Sequence, residues 1–416
     1  MVLAEYKTFL LGILTILTVG GCGSGEDNGT TPSTPVHALQ ITPLTHLISG
    51  IGNTVSFSAI AVDASNRPLS TNVKWGVLDS TMVSIDSNGV AKGLKAGVTI
   101  VKASAGNKEV SVQIEVWDPP SLDTYDLGQT YKGRKGYAEY IPGDLPLILS
   151  APHGGSLCPG EIPDRTYGSI GRCSSTGSDT NTLPLTTTIR SVFLERTGHT
   201  PHIILLTLAR PKLDANREIA EAAQGSSFAE NAWSEYHGFI DAAKDAITKE
   251  FGLGLYLDMH GHGHSVPRIE LGYLLSKTDL QTSILDIPYM INKSSFKTLS
   301  GISSASTPSV TTFTDIIRGM TSLGTLLQQR GVRAVPSGSD PAPIGDEKFF
   351  SGGYSTKRHG SRDGGLIDGV QFEHHYPGLR DTPGNRLSYA QDLVEVLEVF
   401  LESHYGWSIS KHFSEN

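Results

Sequence analysis

Two histidines of this chain each follow a short apolar run and precede a glycine. His153 comes after Leu147–Ala151, and His260 comes after Leu255–Leu257 at the start of the series His-Gly-His-Gly-His. Each apolar run predicts a buried strand of an open α/β sheet, in which ligands bind beyond the carboxyl ends of the strands. Imidazoles at two such ends can share one ion, so the pattern predicts a metal site. Asp258, two positions before His260, is placed to orient an imidazole.

A third segment, Arg210–Glu218, offers groups that bind carboxylates. An arginine such as Arg217 can donate two parallel N–H bonds to the two oxygens of a carboxylate, and Asn216 adds a neutral donor. This composition indicates substrate capture. The alternative interpretation is the start of a surface helix that Asp214 caps.

Glu373 lies near the end of a fourth segment, Asp368–His375. Alternation along a strand puts Val370 and Phe372 on one face and Gln371 and Glu373 on the other, so Glu373 can project from the strand end toward a cleft. A carboxylate in that position can serve as a general base. An exposed residue that forms an ion pair is the alternative role for a glutamate at a strand end.

The elements that must position these side chains belong to a chain of 416 residues, 38% of them hydrophobic and 18% charged. This length predicts two or three domains, and this composition excludes a largely disordered chain. The net charge is -9 and no block of lysine and arginine occurs, so a nucleic-acid partner is not expected.

Residues 130–405 alternate apolar strands with amphipathic helices, which is typical of an α/β sheet. Apolar residues at helical spacing predict helices over residues 228–247, 313–327 and 390–401. Residues 406–416 are expected to form a tail.

The N-terminus resembles a bacterial lipoprotein signal peptide over residues 1–22. Lys7 precedes an apolar stretch, Phe9–Val19, that is too short to span a membrane, and small residues lead to Cys22. The resemblance implies cleavage before Cys22, lipidation of its thiol, and attachment to a membrane, at the outer membrane or the cell surface. An ordinary secretory signal with an incidental cysteine is the alternative. Residues 23–36, rich in Gly, Ser, Thr and Pro, are predicted to form a flexible tether.

Export would also decide the state of the two remaining cysteines. If Cys22 carries a lipid, Cys158 and Cys173 form an even pair in an oxidising compartment, and we expect a disulfide between them. It would close a loop of about 16 residues, for which loop-closure entropy gives about 3 kcal/mol of stabilisation. Two thiolates on a metal ion are a poor alternative, because the spacing matches no zinc motif.

Residues 37–117 show period-two alternation of apolar and polar residues, broken by turns with Gly, Asn and Asp. This pattern predicts an all-β sandwich. The segments around Trp75 and Asn88-Gly89 resemble the bacterial Ig-like group 2 domain, in which Trp75 would anchor the core and Asn88-Gly89 would form a tight turn. Such a domain would act as a spacer or contact a cell-surface polymer. Residues 118–129 follow as a linker, and its prolines end the last strand.

Six segments of residues 130–405, taken together and in order, resemble the N-formylglutamate amidohydrolases, which are similar to zinc carboxypeptidases. They are SAPHGG (150–155), SDTNTLPL (178–185), KLDANRE (212–218), YLDMHGHGH (256–264), FFSGGYSTKRHG (349–360) and GVQFEHHYPGLR (369–380). The resemblance implies an α/β domain with a mixed sheet of the zinc carboxypeptidase/phosphorylase type. It also implies a zinc-bound water, a glutamate base and an arginine that grips the substrate carboxylate.

Carried over to this chain, the resemblance makes His153 and His260 zinc ligands and Glu373 the general base. Asn216 and Arg217 would hold the substrate carboxylate. Zinc with two neutral imidazoles and one carboxylate keeps a net positive charge, which makes hydroxide available near neutral pH.

Two carboxylates are candidates for the third zinc ligand. The His-x-x-Glu pattern of the relatives does not decide between them, because it would need a glutamate at position 156, where this chain has Ser156. Asp179 is favoured, since it stands in a segment that resembles the family's Asp-containing helix start. Glu161, within the predicted disulfide loop, is the alternative. His262 and His264 are expected to line the pocket or to hydrogen-bond the substrate.

The sequence therefore predicts an exported, membrane-anchored, zinc-dependent hydrolase. It would cleave an amide bond next to a free carboxylate, in an N-acyl amino acid, a γ-glutamyl compound or a peptide-like substrate, with Arg210 stabilising the oxyanion. One alternative is a serine or metal-dependent esterase, although the nearest match to a nucleophile elbow, residues 301–305, lacks the final glycine. The other is a surface adhesin that binds through its Ig-like unit and has no activity.

Overall fold

A computed structural model of the protein describes residues 34–119, 124–167, 173, 179–303, 312–409 and 412, without the side chains of 301–303. The predicted signal peptide with Cys22, most of the tether, and parts of the linker, of the esterase-like segment and of the tail lie outside the described residues. Among the described helices, none is both long and apolar enough to cross a bilayer.

The N-terminal region is built of strands, as its period-two pattern predicts. They are β1 (Ala38–Thr42), β2 (Thr45–Ser49), β3 (Thr54–Ser56), β4 (Ser58–Val62), β5 (Pro68–Leu69), β6 (Lys74–Val77), β7 (Val83–Ile85), β8 (Val90–Gly93), β9 (Gly97–Ala105) and β10 (Lys108–Trp117). Their orders in the sheets are β1-β4-β5, β2-β10-β9-β6 and β3-β8-β7. Val101, Ala103 and Ile114 are fully buried, so alternate positions of β9 and β10 supply the core.

The turn predicted at Asn88-Gly89 is present, and its geometry requires glycine. Gly89 has a φ of +82°, and a Cβ there would lie 2.5 Å from the Phe57 backbone oxygen and 2.9 Å from the Trp75 ring. A residue with a side chain would therefore clash in a conformation that it rarely adopts. Trp75 packs against the buried residues of this region, with its ring centroid 6.3 Å from that of Phe57.

The C-terminal region is an α/β domain with a mixed eight-stranded sheet in its described residues. The strands are β11 (Tyr131–Lys132), β12 (Ala138–Ile141), β13 (Leu147–Ala151), β14 (His202–Leu206), β15 (Gly254–Gly261), β16 (Ile269–Gly272), β17 (Ala334–Val335) and β18 (Ile367–His374). Their order is β11-β12-β14-β13-β15-β18-β16-β17. Strands β14, β13, β15 and β18 run parallel, whereas β12 and β16 are antiparallel to β14 and β18. The carboxyl ends of β13, β15 and β18 therefore meet at one edge.

Helices cover both faces of this sheet. They are α1 (Thr182–Thr197), α2 (Ile219–Ala223), α3 (Ser227–Phe251), α4 (Lys277–Leu280), α5 (Pro288–Lys293), α6 (Lys297–Ser303), α7 (Phe313–Arg318), α8 (Leu323–Gln329), α9 (Tyr354–His359) and α10 (Pro383–Phe400). Leu147 and Leu149 of β13 belong to the apolar core that contains α1 and α10, while Ile148 belongs to the core that contains α3. Alternation along a strand that is buried on both sides thus gives the sheet two apolar faces.

The prediction of one helix over residues 313–327 is wrong, because α7 and α8 are separate helices. α7 ends at Arg318, and at the next residue, Gly319, the preceding turn occupies the space that a Cβ would need. The hydroxyl of Ser322 accepts a hydrogen bond from the Thr325 N–H and begins α8. Met320, assigned to the apolar stripe, is 74% exposed. Glycine weakens a helix and serine caps one, and these local preferences outweigh the apolar spacing. The other two predicted helices are present as α3 and α10.

A buried arginine joins the N-terminal region to the α/β domain. The guanidinium of Arg134, only 1% exposed, forms ion pairs with Glu115 of β10 and with Glu161, each at 2.6 Å. Trp117, at the end of β10, donates its Nε1–H to Glu235 of α3 at 3.0 Å. These contacts hold the N-terminal region against α3.

Candidate metal centre

His153, His260 and Asp179 meet at the edge of the sheet where β13 and β15 end. The two imidazole rings are 4.7 Å apart between centroids and lie at 75° to each other. The Oδ2 atom of Asp179 lies 3.3 Å from His153 Nδ1 and 3.1 Å from His260 Nδ1. All three residues are buried, and their ligand atoms lie within 4.8 Å of one another. The structure therefore brings together the three residues proposed from the sequence as ligands.

Glycines beside the histidines let other segments approach them closely. A Cβ on Gly154 would lie 2.4 Å from Thr182 Oγ1, at the start of α1. Because Asp179 comes three residues before Thr182, the absence of a side chain at Gly154 lets this carboxylate reach the histidines. The backbone N–H of Gly261 then donates to Asp179 Oδ2 at 3.1 Å and fixes its position.

Each imidazole has a second carboxylate on its other nitrogen. His153 Nε2 lies 2.6 Å from Asp214 Oδ1, and His260 Nε2 lies 3.1 Å from Asp258 Oδ1. A neutral imidazole has one N–H, so it cannot donate to carboxylates on both sides. If each imidazole carries its proton on Nε2, both Nδ1 lone pairs face Asp179; the Nε2–H of His153 is then donated to Asp214, whereas Asp258 Oδ1 has no hydrogen-bond partner among the described residues. Three electron-pair donors then converge on one point, which is the arrangement that a bound cation satisfies.

Asp214 orients His153 and does not cap a helix. The helix that follows, α2, begins at Ile219 with Glu218 before it, so the alternative of a helix capped by Asp214 is wrong. The Oδ1 of Asp214 also accepts the backbone N–H of Asn216 at 3.1 Å, and its Oδ2 accepts from Arg210 Nε at 3.0 Å. Asp214 is thereby held in place to hydrogen-bond His153.

The centre gathers buried groups of both charges. The carboxylates of Asp179, Asp214 and Asp258 and the carboxyl group of Glu373 lie near three guanidinium groups, those of Arg165, Arg210 and Arg380. Burial alone would raise the pKa of Asp179, but the two neighbouring histidines hold it well below its usual value. Burial likewise opposes a charge on His260, yet its carboxylate neighbours raise its pKa well above the usual value. A divalent cation can replace the protons that join Asp179 to the two imidazoles, because a buried carboxylate needs a partner of opposite charge.

Glu373 faces the centre from the neighbouring strand. It pairs with His260 in the parallel register of β15 and β18, so the two side chains are on the same face of the sheet. Val370 and Phe372 pack into the apolar core on the opposite face, as alternation predicts. Gln371 Nε2 donates to Glu373 Oε1 at 2.7 Å, whereas Glu373 Oε2 is buried without a partner among the described residues. Burial raises the pKa of Glu373 to about 8.

Arg210 and Asn216 lie beside the centre, and Arg217 is paired nearby. Arg210 Nη1 is 3.9 Å from Asp179 Oδ1. Asn216 Nδ2 is 3.4 Å from His260 Nε2, and its Oδ1 accepts the backbone N–H of Ser355. Arg217 donates to Glu221 of α2 at 3.2 Å and to the Asn216 backbone oxygen at 2.7 Å. A substrate carboxylate at Arg217 would therefore compete with Glu221.

Glu161, the alternative third ligand, is engaged elsewhere, and this corrects that prediction. Its Oε1 accepts hydrogen bonds from Arg134 and Tyr137, and its Oε2 accepts one from Lys135. These groups belong to the junction with the N-terminal region and not to the histidine pair. Within the same part of the chain, the predicted disulfide is present: Cys158 is bonded to Cys173.

His262 and His264 form a separate group with Glu270 of β16, again with ligand atoms within 4.8 Å of one another. His262 Nε2 lies 2.7 Å from the Arg268 backbone oxygen, and His264 Nδ1 lies 3.0 Å from Glu270 Oε1. Both histidines are expected from the sequence to line the pocket, whereas Glu270 is not among the residues predicted for the site. The signal for it was a lone carboxylate inside the apolar strand Ile269–Gly272.

Comparisons with known proteins give distant similarities. No protein-family model matches the chain. A segment of 117 residues, 28% of this chain, is 29% identical to Ice-binding protein 1 of Shewanella frigidimarina and spans 13% of the length of that protein. Domains 4 and 5 of the S-layer protein SbsC match at 18% identity over 20% of this chain and 53% of theirs, with a TM-score of 0.19.

Two other solved structures match over a larger share of the chain. The gene product Atu2144 from Agrobacterium tumefaciens matches at 14% identity, over 66% of this chain and 96% of that chain, with a TM-score of 0.38. The N-formylglutamate amidohydrolase from Ralstonia eutropha JMP134 matches at 14% identity, over 63% of this chain and 93% of that chain, with a TM-score of 0.37. An amidohydrolase is thus among the structures to which this chain is similar, and no family is established by these values.

Proposed function

We propose that this protein is a zinc-dependent hydrolase that cleaves an amide bond next to a free carboxylate. One observation carries the proposal: His153 and His260 both point Nδ1 at the same Asp179 oxygen, while Nε2 of His153 is hydrogen-bonded to Asp214 and Nε2 of His260 lies 3.1 Å from Asp258 Oδ1. Two imidazole nitrogens and one carboxylate oxygen are a ligand set typical of catalytic zinc, which keeps a further position open.

Zinc bound there would supply a Lewis acid that polarises a carbonyl oxygen and acidifies water near neutral pH. The residues of the chain would do the rest. His153, His260 and Asp179 hold the ion. Asp214 accepts the Nε2–H of His153, which keeps the Nδ1 lone pair of His153 directed inward, and the Asp258 carboxylate lies 3.1 Å from Nε2 of His260.

Glu373 is proposed as the general base. Its Oε2, buried and without a partner among the described residues, can accept a proton from the attacking water. Gln371 holds the other oxygen at 2.7 Å, which fixes the direction of Oε2. The same carboxyl group would then pass the proton to the leaving nitrogen.

Arg210 and Asn216 are proposed to act on the substrate. Arg210 is fixed beside Asp179 by its hydrogen bond to Asp214, so its positive charge can stabilise the carbonyl oxygen as that oxygen becomes negative. Asn216 and Arg217 would hold the substrate carboxylate, with Arg217 exchanging its partner Glu221 for the substrate. N-acyl amino acids, γ-glutamyl compounds and peptides carry a carboxylate at a suitable place.

Metal analysis together with a panel of N-acyl amino acids and peptides tests the proposal. Glu373→Gln should keep zinc and lose turnover by at least about a hundredfold, the loss typical of a missing general base. Glu250→Gln, the same change at an exposed position of α3, is the matched control and should keep full activity. Full activity in Glu373→Gln would show that the base is another group.

We also propose that the protein is exported and anchored in a membrane through a lipid on Cys22, with the N-terminal region as a spacer or a contact for a surface polymer. The N-terminal sequence pattern supports this, and so does the disulfide between Cys158 and Cys173, which fits an oxidising compartment. Mass spectrometry of the mature N-terminus should find diacylated or triacylated Cys22, and Cys22→Ser should release the protein from membranes. An intact signal segment in the mature protein would refute the anchor.

A further inference from the structure

We propose that His262, His264 and Glu270 bind a second divalent transition-metal ion. The group lies where the chain leaves β15 and enters β16, and its ligand atoms lie within 4.8 Å of one another. In the sheet, Glu373 pairs with His260 on one side and with Glu270 on the other. The second site therefore lies across Glu373 from the first. This inference goes beyond the proposed hydrolase and does not depend on it.

Contacts outside the group orient its donor atoms inward. The Nε2–H of His262 is donated to the Arg268 backbone oxygen at 2.7 Å, which leaves the Nδ1 lone pair for the group. That lone pair accepts the His264 backbone N–H at 3.1 Å, a contact that an ion would replace. Glu270 Oε2 accepts the backbone N–H of Phe350 at 2.8 Å, so Oε1 is directed at His264. In the first centre His153 is held in the same way, with its Nε2 hydrogen-bonded to Asp214 outside the group.

Charge and burial favour a cation at this position. Glu270 is fully buried, and the nearest guanidinium nitrogen, Arg268 Nε, is 3.9 Å away, too far for a hydrogen bond. Arg268 is instead paired with Glu347 at 2.7 Å and lies near Asp340. Among the described residues the charge partners of the buried Glu270 carboxylate are thus the His264 imidazole at 3.0 Å and the Arg268 guanidinium at 3.9 Å, and an ion would add a closer positive charge.

The donor set selects the class of ion. Two imidazole nitrogens with one carboxylate suit zinc, cobalt or nickel, whereas magnesium and calcium require mostly oxygen ligands. The ring of His264 stacks on Phe350 at 4.6 Å between centroids, which limits its rotation, and its side chain is 14% exposed, which gives an ion access. A bound ion would join the segment with His262 and His264 to Glu270 of β16, the strand that pairs with β18 at Glu373.

Zinc stoichiometry of the full chain tests the proposal. The protein is stripped with a chelator, reloaded, dialysed and analysed for metal by mass spectrometry. Wild type should bind two equivalents, and His264→Gln and Glu270→Gln should each bind one. His37→Gln, the same change at an exposed histidine, is the matched control and should bind two. Circular dichroism confirms that each variant is folded, and His264→Gln, at the partly exposed ligand, covers the case in which Glu270→Gln does not fold.

The two metal proposals fail in different ways. One equivalent in wild type that His153→Ala removes and His264→Gln leaves intact would overturn the second site alone. One equivalent that persists in His153→Ala and disappears in His264→Gln would overturn the first centre and keep the second. Two equivalents in a folded His264→Gln would also refute the second site.

Discussion

Replacing Asp214 by asparagine should weaken zinc binding without removing a ligand. Asp214 Oδ1 lies 2.6 Å from His153 Nε2 and accepts the Asn216 N–H at 3.1 Å. Asparagine keeps an oxygen for these two contacts but loses the negative charge. On the other side, its amide NH₂ would face Arg210 Nε, which now donates to Oδ2 at 3.0 Å. The amide N–H and the Arg210 Nε–H would then face each other, and neither would have an acceptor there.

The size of the effect follows from the bond to His153. A hydrogen bond to a charged group contributes about 1.5–3 kcal/mol and a neutral one about 1 kcal/mol, so the substitution should cost about 0.5–2 kcal/mol. This bond orients the imidazole and increases its basicity, and the cost should therefore appear in the affinity for the ion. At about 1.4 kcal/mol per factor of ten, we expect the zinc dissociation constant to rise about 2–30-fold.

Competition with a chromophoric chelator measures this change. Asp245→Asn, the same substitution at an exposed position of α3, is the matched control and should keep the wild-type affinity. Thermal unfolding of the metal-free proteins separates a loss of affinity from a loss of folding. If folded Asp214→Asn binds zinc as tightly as wild type, Asp214 does not orient a metal ligand through Nε2 of His153.

Three further predictions concern stability. Arg134→Met should lower the free energy of unfolding, measured in urea, by about 3 kcal/mol, because Glu115 and Glu161 lose their buried partner. A loss under about 1 kcal/mol would mean that these ion pairs contribute no more than exposed ones do. Burial would raise the pKa of Glu161, but hydrogen bonds from Arg134, Lys135 and Tyr137 hold it at about 2, against 4.5 unperturbed. The ionised Glu161 therefore contributes fully to the free energy of unfolding above pH 4.5, and this contribution is lost as the pH falls toward 2. Glu161→Gln should make the free energy of unfolding depend less on pH between 4.5 and 2. The same pH dependence as in wild type would refute the pairing. Cys173→Ser should cost about 3 kcal/mol against the oxidised wild type, and equal urea midpoints would show that the disulfide does not stabilise the fold.

The strand-end residues could be predicted from the sequence because the signals were local. His153 and His260 each follow a buried parallel strand, and all such strands present their carboxyl ends at one edge of the sheet. Alternation alone put Glu373 on the face opposite Phe372, which is where it lies. The sheet itself could be predicted as α/β from the alternation of strands and helices.

Other features depend on contacts between distant segments and could not be predicted in this way. The local sequence pattern does not decide whether Asp179 or Glu161 is the third metal ligand. The decision depends on Arg134, which binds Glu161 at the junction with the N-terminal region. Asp214 stands in a sequence that is equally typical of a helix cap, and its contact with His153 spans 61 positions. The break between α7 and α8 had a visible cause in Gly319, but the regular apolar spacing around it favoured one continuous helix.

The most direct test of the metal centre is anomalous diffraction at the zinc edge from crystals of the protein grown with zinc. We predict one peak about 2.0–2.1 Å from Nδ1 of His153 and of His260 and about 2.0–2.2 Å from an oxygen of Asp179. An ordered site with no peak between the two imidazoles, and with both rings hydrogen-bonded to Asp179, would contradict the shared ion.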